Sequence, residues 1–182
     1  MEALIAAVSL LGVVGILNFV LTMGVIRRLR QHAEAISSRG GAASPTLEAG
    51  GHVGDFATTA VDGTIVASEL ITAESTIAFF SPSCGPCRER LPGFIEYAGR
   101  MNGLQQHVIA VVVGEESEAA EFASRLGAAA TVVVETPDAG PLATACQVKA
   151  FPTILVADRD PAGHLTVKAS GVDLDEMRAA FV

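Results

Sequence analysis

Two cysteines three positions apart, Cys84 and Cys87, are the residues of this 182-residue chain whose type and spacing could do chemistry. A close thiol pair can cycle between dithiol and disulfide, or serve as half of a zinc site. Zinc needs about four ligands, and no second Cys-x-x-Cys and no His pair at ligand spacing supplies the rest. Cys146 is the one cysteine left over, and three cysteines exclude a disulfide-stapled scaffold. Thiol–disulfide exchange is therefore the expected chemistry, with no metal and no cofactor.

Such a pair has to be held by rigid elements. Before it runs Thr76-Ile77-Ala78-Phe79-Phe80, short, β-branched and aromatic, which reads as a buried strand ending at the turn signal Ser81-Pro82. After it, from Arg88 to Tyr97, apolar residues recur at helical spacing. Cys84 thus falls at a helix N-terminus, where unpaired N–H groups and the helix dipole favour a thiolate. It is the expected nucleophile. Cys87, one turn on, is the expected resolving thiol.

The rest of the chain alternates strands and helices. Val61-Asp62-Gly63-Thr64-Ile65-Val66 carries an Asp-Gly hairpin signal. Val108 to Val113 is a β-branched run of the kind buried on both faces of a sheet. Glu115 to Leu126 reads as an amphipathic helix closed by Gly127, and Thr131 to Val134 as another strand. A short helix from Pro141 to Gln147, strands at Thr153–Ala157 and Leu165–Ala169, and a closing helix from Asp173 to Phe181 complete the reading. Strands alternating with helices predict an α/β sandwich around a central mixed sheet.

Cys84-Gly85-Pro86-Cys87 is identical to the active-site tetrapeptide of thioredoxin, and Pro92 matches that family's helix-kinking proline. Val148-Lys149-Ala150-Phe151-Pro152-Thr153 resembles the loop whose cis-proline packs beside the dithiol in thioredoxin folds. Together with the membrane segment below, the chain resembles membrane-tethered thioredoxin-like disulfide reductases of the TlpA type over residues 53–182. Ser81-Pro82-Ser83-Cys84 is also similar to the thioredoxin-like accessory protein of methylamine dehydrogenase maturation. The resemblance implies catalysis by Cys84 and Cys87, framed by Ser83, Gly85, Pro86, Phe151, Pro152 and Thr153. It also implies client-protein disulfides as substrates and a thiol protein as electron donor. A maturation factor for one client, or a redox-silent adaptor, are the alternatives.

Three positions depart from the pattern. Ala78 stands where thioredoxin has a buried Asp that assists proton transfer, and Ser83 where Trp is usual. Arg90 stands where many TlpA-like sequences are acidic, which leaves Glu89 or water to accept the resolving proton. Gly-Pro between the cysteines offers no side-chain charge or hydrogen bond to a thiolate. The pair is expected to be reducing rather than oxidising.

From Ala3 to Ile26 there is no charge, and this run spans roughly 36 Å as a helix, enough for a bilayer core. Residues 1–36 are expected to form one transmembrane helix with a juxtamembrane extension, and 37–52 a flexible linker rich in Gly, Ala and Ser. Residues 53–182 form the expected domain. The chain carries a net charge of −8, and its acidic residues concentrate in that domain, which excludes nucleic acid as a partner. Arg27, Arg28 and Arg30 follow the apolar run directly and favour a cytoplasmic domain. The family resemblance implies the extracytoplasmic side.

Overall fold

The computed structural model describes residues 46–103, 107–137 and 140–172, with Met1 and Gly12. The expected membrane helix over 1–36, the linker from 37 to 45 and the closing helix Asp173–Phe181 lie outside the described residues. Among the described residues, no helix is long and apolar enough to cross a membrane.

The core of the domain is a five-stranded mixed sheet. Its strands are β3 (Ser75–Phe80), β4 (His107–Val113), β5 (Thr131–Glu135), β6 (Thr153–Arg159) and β7 (Leu165–Ser170). They lie in the order β5-β4-β3-β6-β7. β3, β4 and β5 run parallel, whereas β6 is antiparallel to β3 and β7 antiparallel to β6. Helix α1 (Gly85–Gly103) connects β3 to β4, and α2 (Glu116–Leu126) connects β4 to β5. Two successive crossovers of the same hand, stepping in the same direction, put both helices on one face.

Strand periodicity then assigns the two cores. Ala78 and Phe80 of β3 and Ala110 and Val112 of β4 face the helices, packing with Leu91, Phe94 and Tyr97 of α1 and Phe122 and Leu126 of α2. Ile77, Phe79, Val111 and Leu155 face the other way. They are covered by Phe56, by Val66 of the hairpin, and by Leu142 and Cys146 in and just after α3 (Pro141–Ala145). No residue of β3 is exposed, so this strand is the buried spine of the fold.

The hairpin β1 (Ala57–Thr59) and β2 (Ile65–Ala67) forms a separate antiparallel pair. Gly63 takes φ +88° at its turn, a conformation open to glycine at little cost. Asp62 Oδ1 accepts the Thr64 N–H at 2.9 Å, which holds its carboxyl below the ordinary carboxylate range.

Two expectations shift. Helix α1 continues to Gly103, a turn past the expected end near Gly99, because Met101 of that extra turn is buried in the core. The linker expected over 37–52 ends earlier, since the chain is packed from Thr46 on. Thr46 Oγ1 donates to the Cys146 carbonyl at 2.8 Å, Gly50 N–H to Val167 O at 2.7 Å, and Val167 N–H to Gly51 O at 2.9 Å. The stretch is poor in apolar side chains, but its backbone groups pair along the outer edge of β7.

Candidate active site

The turn after β3 delivers the dithiol. Cys84 N–H bonds the Ser81 carbonyl at 3.1 Å, and the Cys84 carbonyl accepts the Arg88 N–H at 3.4 Å. Cys84 therefore occupies the N-cap position of α1, and Gly85 and Pro86 form the exposed first residues of the helix. The turn is held from both sides. Arg88 Nε–H donates to the Pro82 carbonyl at 2.9 Å, and the Ser81 and Ser83 hydroxyls lie 3.1 Å apart. Gly114, at the end of β4, makes room for the Pro82 ring: a Cβ there would stand 3.0 Å from Pro82 Cδ.

The two thiols differ sharply. Cys84 is partly exposed, whereas Cys87 has no exposed surface and packs among Ala78, Phe80 and Leu91. Burial, reinforced by neighbouring Cys84, pushes the Cys87 thiol up to about 12. The Ser81 N–H reaches its sulfur at 3.5 Å and offsets part of that shift. Among the described residues no carboxylate contributes to that shift: Ala78 belongs to the apolar cluster around Cys87, and Glu89 and Arg90 are exposed.

The loop expected opposite the dithiol comes to it. Cys84 Sγ lies 3.4 Å from the Phe151 carbonyl, and the Phe151–Pro152 peptide is cis. Phe151 packs against both cores, and Thr153, buried at the start of β6, donates its hydroxyl to Ala150 O at 2.7 Å. All the residues singled out in the sequence thus gather at the end of β3, next to the start of β6.

The sequence assigned no role in the site to Arg88 or Glu135, and gave Ser81 only as part of the turn. Ser81 contributes a backbone N–H, which leaves no trace in residue type. Glu135 ends β5 and is buried. Its Oε1 accepts the Leu142 N–H at 2.7 Å and its Oε2 the Ala143 N–H at 3.0 Å. It thereby caps α3, the helix that leads into the Phe151–Pro152 loop. Burial raises its pKa, with the two N–H donors pulling the other way. An acidic residue a few positions before a proline-led helix was the available signal. Cys146 is fully buried at the end of α3, and burial raises its thiol to about 12, aided by the nearby Glu135 charge.

Comparison with solved structures places this architecture. The thioredoxin domain of a thiol-disulfide oxidoreductase from Bacteroides vulgatus superposes with a TM-score of 0.58 at 17% identity, covering 75% of this chain and 99% of that one. The chain has a thioredoxin fold. A thiol:disulfide interchange protein from Bacteroides sp. gives a TM-score of 0.58 at 15% identity, over 74% of this chain and 88% of the other. A secreted Mycobacterium tuberculosis disulfide oxidoreductase gives 0.52 at 16% identity, over 70% and 96%. No family model matches the sequence, and no curated protein matches it. Within the thioredoxin fold, the pair Cys84–Cys87 and the Phe151–Pro152 loop meet at the end of the central strand.

Proposed function

We propose that the chain is a membrane-tethered thiol–disulfide oxidoreductase that reduces disulfides of client proteins through Cys84 and Cys87. The observation that carries this reading is the asymmetry of the pair, one thiol partly exposed at the helix cap and one wholly enclosed. In the first step the Cys84 thiolate attacks one sulfur of a client disulfide. That bond breaks, the other client sulfur leaves as a thiolate and takes up a proton, and Cys84 is joined to the client. Cys87 then loses its proton and attacks Cys84 Sγ. The client leaves as a dithiol, two electrons have passed to it, and Cys84–Cys87 is a disulfide. A second thiol protein resets the pair by the same exchange in reverse.

The direction rests on Gly85 and Pro86, which bring no charge or side-chain donor to the Cys84 sulfur. A dithiol with no such help for its reduced form is a reductant. Equilibration of the full chain with glutathione or dithiothreitol buffers tests it. The expected potential is nearer about −270 mV than about −120 mV, with insulin reduction in the presence of a thiol donor. A potential at the oxidising end would reverse the direction.

The anchor and its orientation belong to the same proposal. The Arg27, Arg28 and Arg30 cluster beside the apolar run supports a cytoplasmic domain. A periplasmic-reporter phosphatase fused after Val182 reads the side directly, and strong phosphatase activity would put the domain outside.

A further inference from the structure

At the end of the sheet away from the dithiol, two histidines and an aspartate converge. The β3–β6 register pairs Phe79 with Thr153 at the dithiol end and Ser75 with Ala157 towards the other. The hairpin that follows β6, residues 160–164, therefore lies at the far end. His52 arrives there from the N-terminal edge segment through its bridge to Thr166. One ligand atom from each of His52, Asp160 and His164 lies within 4.8 Å of the others.

We propose that His52, Asp160 and His164 form a binding site for a divalent transition-metal ion of the zinc type. Two imidazoles and a carboxylate are the donor set such ions take, with bonds of about 2.0–2.2 Å and a further position left for water. A tetrahedral shell of that radius separates neighbouring ligand atoms by about 3.4 Å. His164 Nδ1 and Asp160 Oδ2 already stand 3.4 Å apart. The His52 ring meets the His164 ring edge-on, with centroids 5.4 Å apart and an interplanar angle of 82°. Both imidazoles are exposed and the ligand atoms already lie within 4.8 Å, so side-chain rotation would narrow the remaining gap.

The carboxylate is fixed for this task. Its Oδ1 accepts the Ala162 N–H at 2.9 Å and the His164 N–H at 2.8 Å, so the turn itself orients Oδ2. Gly163, at φ +89°, closes that turn. The two histidines also line a hollow of about 190 Å³ together with Asp55, Glu69 and Arg159. Among the described residues that line the hollow, Arg159 is the one opposing charge, and its guanidinium is engaged with the carbonyls of Ser68, Ile71 and Gly163. The three nearby carboxylates outweigh it. Because 112 positions separate His52 from His164 in the sequence, no ligand spacing announces the pair.

The test uses untagged full-length protein in detergent, with Cys84–Cys87 oxidised so that the thiols cannot compete for metal. Zn²⁺ is titrated against a chromogenic chelator. One equivalent is expected to bind at micromolar or lower free Zn²⁺. His52→Ala, His164→Ala and Asp160→Asn are each expected to weaken it tenfold or more, the last retaining an oxygen for the turn. Circular dichroism matched to wild type excludes misfolding of these exposed-site variants. Absence of micromolar binding, or binding unchanged in His52→Ala and His164→Ala, would overturn the site.

Discussion

Cys84 Sγ and the carbonyl oxygen of Phe151 stand 3.4 Å apart, the thiol at the cap of α1 and the carbonyl in the loop before β6. The contact sets the exposed sulfur against a backbone acceptor, while Cys87 lies beneath it out of solvent. Of the two sulfurs, only that of Cys84 belongs to a residue with exposed surface.

Cys84→Ser is therefore expected to abolish reduction of protein disulfides and to trap no client. Cys87→Ser is expected to keep the attack and accumulate mixed disulfides, since the resolving thiol is gone. Non-reducing electrophoresis after incubation with oxidised insulin distinguishes them. Equal trapping by both variants would mean that the enclosed sulfur is also reached.

The resolving step should depend steeply on pH. Cys87 is raised to about 12, and among the described residues no carboxylate contributes to its shift. Its thiolate fraction then rises about tenfold per pH unit across the neutral range. With Cys84 loaded as a thionitrobenzoate mixed disulfide, release of the chromophore is expected to follow that slope from about pH 6 to about pH 9. A plateau near neutrality would reveal a base within reach.

Buried thiols also tie stability to pH. Cys87 and Cys146 both move from 9.0 to about 12 in the folded chain. The folded state therefore holds protons that the unfolded chain gives up above pH 9. The stability this contributes is fully present below the unfolded value and is lost as pH rises from about 9 through about 12. Urea midpoints of the reduced protein, measured anaerobically, are expected to fall over that window. Cys146→Ala is expected to flatten the fall.

Glu135 anchors α3 from below. Glu135→Ala removes the acceptor of the Leu142 and Ala143 N–H groups and is expected to cost about 2–4 kcal/mol. Glu135→Gln keeps one acceptor and is expected to cost less. Gly140→Ala should also destabilise, because a Cβ there would collide with the Glu135 carboxylate. Chemical denaturation measures all three, and an unperturbed Glu135→Ala would remove the anchoring role.

What the sequence revealed and what it concealed divide along a physical line. The dithiol turn, α1, the β-branched strand β4 and the β1–β2 hairpin are written in neighbouring residues, whose periodicity and turn chemistry act locally. The Phe151–Pro152 loop was legible through its resemblance to a known motif rather than through spacing. The contact of Thr46 with the Cys146 carbonyl, 100 residues away, left no such trace, because a backbone oxygen accepts from any donor. The same holds for Gly50 and Gly51, which read as linker yet pair with Val167. Glu135, one position past the expected strand Thr131 to Val134, drew no reading from the sequence. Its burial comes from the approach of α3, which only the folded chain brings about.

The position of β3 between β4 and β6 has a bearing on biosynthesis. The ribosome releases the Cys84–Cys87 turn and its first partner strand, β4, long before β6, which starts at Thr153. Until then the nascent chain carries a thiol pair with an open flank on one side of its supporting strand and no Phe151 carbonyl beside Cys84. Pairing with β6 is what closes that flank. The same late event that completes the sheet sets the Phe151 carbonyl beside Cys84, whereas the packing of Cys87 with Ala78, Phe80 and Leu91 draws only on parts of the chain made earlier.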